Sequence, residues 1–114
     1  MKAKENFRKG ALDMLILKLL SKHDCYGYQL TQIIKEQSNG LINIPSGSLY
    51  PSLYRLLEGN YISEYPVMVG KRQQRIYYHL ESEGRQYLEE QMSDYYEIAE
   101  AIEKILQYDG GAKE

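Results

Sequence analysis

Six side chains between Ser46 and Arg55 can donate hydrogen bonds and carry no negative charge: Ser46, Ser48, Tyr50, Ser52, Tyr54 and Arg55. Interleaved with them, Leu49, Leu53, Leu56 and Leu57 fall at i, i+4, i+7 and i+8, one apolar stripe of a helix with the donors opposite. No carboxylate follows until Glu58. An ordinary solvated face mixes Glu with Lys. A face of hydroxyls, phenols and one guanidinium suits a polyanion such as DNA, whose phosphates and base edges accept hydrogen bonds. The bland alternative is a plain polar surface. Ser46 or Ser48 is expected to cap the helix, and a cap at Ser48 would put Pro51 where its missing N–H costs nothing. Gly59-Asn60 then reads as a left-handed stop.

A second set of donors, Lys71, Arg72, Gln73 and Arg75, lies around the tip of an expected hairpin. Cations there either solubilise the turn or meet backbone phosphate. Catalytic arrangements are missing: no glycine-rich phosphate loop, no Gly-x-Ser-x-Gly elbow, and no carboxylate pair flanked by His. His23, His79 and the single Cys25 have no zinc-ligand spacing, so neither a metal nor another cofactor is expected. An enzyme is not the expected reading.

The elements that must position these donors follow from periodicity. Residues 1–9 read as a short basic arm, with Lys2, Lys4, Arg8 and Lys9. Residues 10–20 form a helix apolar nearly all round, which must be buried on more than one side. Tyr26-Gly27-Tyr28 opens a second helix, closed by Ser38-Asn39-Gly40. Residues 41–44 are expected to form a very short strand before Pro45. The donor-bearing helix comes next. Residues 61–67 and 74–80, rich in β-branched and aromatic side chains, pair as a hairpin around the basic tip. From Glu81 to about Gln107 a single helix carries Leu88, Met92, Tyr95, Ala99, Ile102 and Leu106 at alternating spacings of 4 and 3, a heptad-like seam. The fold class is therefore mainly α with a β-hairpin wing (α+β): a winged helix-turn-helix plus a long C-terminal dimerisation helix. The expected division is a DNA-binding body at 1–80 and a dimerisation helix with short tail at 81–114, in one structural unit.

Charge divides at the same place. Residues 1–80 hold 11 Lys/Arg against 6 Asp/Glu, a balance of +5, and residues 81–114 hold 3 against 10, a balance of −7. The net −2 hides a basic body joined to an acidic helix. The N-terminus is charged, the longest uninterrupted apolar run is 14–17, and the only cysteine cannot form an intramolecular disulfide. The expectation is a cytoplasmic protein without a signal or membrane span, nucleoid-associated through any DNA it binds.

The residues also match a known family. Gly10-Ala11-Leu12 with Ile16-Leu17 and Leu20, then Tyr26-Gly27-Tyr28, resemble the opening signature of PadR-type transcriptional regulators. Ser46-Gly47-Ser48-Leu49-Tyr50-Pro51-Ser52-Leu53-Tyr54-Arg55-Leu56 is similar to that family's most distinctive motif. Gly70-Lys71-Arg72 through Tyr77-Tyr78-His79-Leu80, with Gly84-Arg85, resembles its wing and the lead into its last helix. Glu81 stands where the family usually has a capping threonine, leaving Ser82 as substitute. Gln73 and Gln74 replace proline or basic residues in the wing. The resemblance implies a homodimeric regulator, most readily a repressor, on a double-stranded, pseudo-palindromic operator, with Tyr26 and Tyr28 joining the DNA-facing set. It also implies a small aromatic effector between subunits, with Tyr95 in the comparable place. The residues themselves offer Met92, Tyr96, Met14 and Phe7 as neighbouring walls, and dimer packing is the alternative reading of Tyr95 and Tyr96. The competing reading is a winged-helix dimer that serves as a protein-interaction module without operator DNA.

Overall fold

A computed structural model describes the backbone of residues 2–111, and side chains from residue 10 onward. The order is α1 (Lys2–Leu20), β1 (Cys25–Tyr26), α2 (Gly27–Gln37), α3 (Ser46–Glu58), β2 (Ile62–Met68), β3 (Gln74–Leu80) and α4 (Ser82–Leu106). The stretch read as a basic arm is helical from Lys2, continuous with the apolar segment behind it. The side chain of Phe7 lies outside the described residues.

The three strands form an antiparallel sheet in the order β1-β3-β2. Its hairpin register runs from Ile62 opposite Leu80 to Met68 opposite Gln74. The third strand is not at residues 41–44, as expected from their position before Pro45, but at Cys25–Tyr26, opposite Tyr78 and Tyr77. The reason is local. Ile42 N–H bonds to the Ser38 hydroxyl at 2.9 Å and the Asn43 amide donates to the Gly40 carbonyl at 2.9 Å. Residues 41–44 thus spend polar groups on their own turn. Ile44 plugs the core, while Leu41 is 86% exposed.

The buried stripe of α3 (Leu49, Leu53 and Leu56) meets Leu12, Ile16 and Leu17 of α1 in one core. Burying a leucine or isoleucine side chain contributes about 1.5–3 kcal/mol, so this packing fixes how α3 is rotated. The helix is not capped by Ser46 or Ser48. Pro45 is its N-cap, with extended backbone, and its carbonyl accepts from the N–H groups of Ser48 (2.9 Å) and Leu49 (3.0 Å). Pro51 therefore lies inside the helix and leaves the Gly47 carbonyl without its usual donor. Both residues are exposed, so water can replace that bond. At the other end Asn60, not Gly59, takes the left-handed conformation (φ 61°).

Close backbone approach sets α4 on the sheet. A Cβ on Gly84 would lie 2.0 Å from the Tyr61 carbonyl oxygen, so only glycine fits there. Tyr61 and Tyr87 stack above it at 4.4 Å. Glu81 is the N-cap without a side-chain cap bond, so Ser82 does not substitute for a capping threonine. The Glu81 carboxylate instead accepts from the Ser63 hydroxyl at 2.5 Å, tying the helix start to β2. From there α4 runs beyond the body, and the chain measures 73 × 29 × 23 Å.

Candidate nucleic-acid interface

Because the leucines of α3 are fixed inward, the opposite face is fixed outward. Ser46, Gly47, Ser48, Tyr50, Pro51 and Tyr54 are exposed on it, with Tyr50 37% and Tyr54 59% accessible. The two tyrosine rings lie 6.3 Å apart, tilted by 40°. With Pro45 as cap, the hydroxyls of Ser46 and Ser48 are not spent on capping.

Ser52, expected among the outward donors, is not one of them. It is 1% exposed, and its hydroxyl donates to the Asp13 carboxylate of α1. Its position, three residues after Leu49 and one before Leu53, places it on the buried stripe. Arg55 flanks the outward face. One terminal guanidinium nitrogen reaches Asp13 at 3.1 Å and Ser52 at 3.0 Å, while the side chain remains 55% exposed. Asp13 was invisible as a partner because it lies 42 residues from Arg55, in a helix that reads as apolar nearly all round.

On the wing, Lys71, Arg72 and Gln73 are exposed at a turn closed by Val69 N–H to the Gln73 carbonyl (2.8 Å), with Gly70 at φ 99°. Arg75 lies lower, its guanidinium carbon 4.2 Å from the centre of the Tyr26 ring. Tyr26 meets Tyr77 edge-on at 5.4 Å, and Tyr77 stacks on Tyr65 at 5.9 Å. This row braces the wing against the start of α2, so Tyr26 acts as a support for Arg75. Tyr28, 66% exposed, points away from the body.

Asp24 completes the brace. Its carboxylate accepts from the Tyr65 hydroxyl at 2.5 Å and pairs with His79 Nδ1 at 2.8 Å. The Tyr65 bond, with His79 assisting against partial burial, holds the Asp24 carboxyl below its ordinary range. The same bond pushes the Tyr65 phenol up to about 12. Burial pushes Tyr78 up to about 12 and the Cys25 thiol to about 11. Cys25 is thus a buried thiol, without the thiolate character that redox sensing needs.

The seam on α4 divides. Leu88 is 5% exposed and belongs to this chain's own core, which corrects its expected place in a dimerisation seam. Met92 packs partly against that core. Tyr95, Ile102 and Leu106 are 41%, 46% and 73% exposed, and Ala99 is half-buried. Between α1 and α4 runs an apolar groove of about 290 Å³, lined by Ala11, Met14, Leu15, Met92, Tyr95 and Tyr96 among others. Four of the five residues expected around an effector, Met14, Met92, Tyr95 and Tyr96, are brought together there. Beside it, Met14 and Tyr95 also border a second hollow with Gln91, whose Oε1 is buried without a partner among the described residues. No helix among the described residues is long and apolar enough to cross a membrane.

Comparison with known proteins accounts for this architecture. The family model described as the transcriptional regulator PadR-like family matches residues 16–90. A transcriptional regulator from Clostridium thermocellum superposes with a TM-score of 0.82 at 28% identity, covering 90% of this chain and 96% of that one. Bacillus subtilis PadR, solved in complex with operator DNA, gives 0.67 at 27% identity, covering 72% of this chain and 46% of that one. The transcriptional regulator YqjI of Escherichia coli is 33% identical over 96 residues, 84% of this chain and 44% of its own length. The chain thus spans under half the length of the latter two proteins. It belongs to the PadR-like family of transcriptional regulators, and its fold is the winged helix of that family.

Proposed function

We propose that this PadR-family regulator binds a pseudo-palindromic operator as a homodimer and represses transcription in the cytoplasm, with relief by a small aromatic effector. The observation that carries the reading is the outward face of α3, which is free of acids from Ser46 to Arg55 and is exposed, as is the basic wing tip. Ser46, Ser48, Tyr50 and Tyr54 would face the major groove with Tyr28 beside them, and Arg55 its edge. Lys71, Arg72, Gln73 and Arg75 would meet flanking backbone, with Tyr26 supporting Arg75. In this reading 1–80 is the DNA-binding body and 81–114 the dimerisation helix. The exposed apolar stripe of α4 pairs with its symmetry mate, which places operator half-sites about one turn, roughly 10 bp, apart. An effector would enter at the groove beside Tyr95. It changes operator affinity only by favouring one spacing of the two winged bodies over another.

The test is to capture fragments of the source genome on the protein and to measure binding of a captured site against salt. Lys71→Ala/Arg72→Ala should weaken binding to every sequence and reduce the slope of log K against log salt by about 0.9 for each phosphate that the variant no longer neutralises. An unchanged slope removes the wing from the interface. If no fragment is retained, the protein is better read as a winged interaction module.

A further inference from the structure

Gly27, the first residue of α2, lies under the outward face of α3. A Cβ built on it would stand 2.7 Å from Tyr50 Oη and 3.2 Å from Tyr50 Cζ. The third-nearest atom, Leu49 Cδ2 at 3.5 Å, is at ordinary van der Waals distance. The hydroxyl end of the Tyr50 phenol therefore occupies the space that a side chain at Gly27 would take. Backbone strain does not call for glycine here, since Gly27 is not among the residues with positive φ. Glycine in a helix is disfavoured relative to alanine, so the residue needs another reason. The ring on top of it supplies one.

We propose that Gly27 is a positioning residue for DNA recognition: its bare Cα is the seat that holds the Tyr50 phenol at the outward edge of α3. This rests on the reading of that face as the DNA-binding surface. Tyr50 is 37% exposed, so the residue remains accessible although its hydroxyl end is seated at Gly27. A phenol seated at its hydroxyl end on Gly27, with the Tyr54 ring centre 6.3 Å from its own, has little rotamer freedom left to lose on meeting a base edge. An added methyl would not disturb the leucine core. It would displace the far end of the Tyr50 side chain, which can swing into solvent.

Gly27→Ala, Tyr50→Ala and the double variant, each in the full chain, test this on a captured operator fragment. Gly27→Ala should leave the melting temperature unchanged or raised, because alanine favours a helix, while weakening operator binding about tenfold. Tyr50→Ala should cost a similar factor. In the Tyr50→Ala background the glycine substitution should then cost less than about twofold, because its target is gone. Three results overturn the inference: Gly27→Ala binds as the wild type does, it loses stability together with binding, or it costs the same factor with and without Tyr50. A wild type that retains no DNA overturns the DNA-binding reading first and this inference with it. A wild type that binds, with additive substitutions, overturns the inference alone.

Discussion

The two halves of α4 carry the same spacing of apolar residues and meet opposite fates. Leu88, in the first half, is 5% exposed, whereas Leu106, five positions later in the same seam, is 73% exposed. The first half lies on the body: Gly84 touches the Tyr61 carbonyl, Tyr87 stacks on Tyr61, and Leu88 and Met92 pack on the core that α1 helps to build. The second half runs past the end of that support. There Ile98, Ile102, Ile105 and Leu106 stand in solvent among glutamates. A heptad pattern states which residues want cover and is silent on what provides it.

The largest effect that would sharpen this contrast comes from pairing one substitution in each half. Leu88→Ala should destabilise the folded subunit by about 2–5 kcal/mol, seen as a lower melting temperature at every protein concentration. Ile102→Asp should instead place an unpaired charge in the free stripe and cost several kcal/mol of association. Sedimentation should then show monomers whose helical content is intact. A wild type that sediments as a monomer at micromolar concentration would break the comparison, since the outer stripe would have no partner of its own kind.

Tyr95 stands at the boundary between the halves, so its role is intermediate. Tyr95→Ala should abolish the shift in operator affinity caused by a planar aromatic compound, a coupling of about 1–3 kcal/mol, and leave ligand-free operator binding near wild type. Loss of the dimer in this variant would assign Tyr95 to packing. Failure of any aromatic compound to quench tyrosine emission would place the sensor elsewhere.

The smallest effect belongs to the body alone. Asp24 is held below its ordinary value of 3.8 by the Tyr65 hydroxyl and by His79. A depressed carboxyl contributes stability that is complete above that ordinary value and is lost as pH falls through the folded value. The wing brace should therefore loosen only below about pH 4, visible in the near-ultraviolet signal of the tyrosine row. Asp24→Asn should show a weaker brace at neutral pH and a flatter acid limb, without changing the oligomeric state seen by sedimentation. An acid limb identical to that of the wild type would mean that Asp24 is a bystander.

The helices, the existence of the hairpin and the buried stripe of α3 were legible because each depends on local periodicity, 3.6 for a packed helix and 2 for a half-buried strand, whereas the hairpin register, Met68 opposite Gln74, was not. The family motifs were legible for the same reason, being contiguous. What escaped depends on residues far apart in the chain. Ser52 reads as a free hydroxyl until Asp13 is found beside it. The third strand is Cys25–Tyr26 because the open edge of β3 lies there, and no pattern of two residues can announce a strand. Gly27 looks like a helix start, and only the Tyr50 ring above it gives the missing side chain a purpose. Sequence alone determined which faces are apolar and which carry donors, since side-chain chemistry and backbone period are local properties. Tertiary structure alone decided which apolar faces stay uncovered and which donors are already taken, since both depend on what the folded chain brings within a few ångströms.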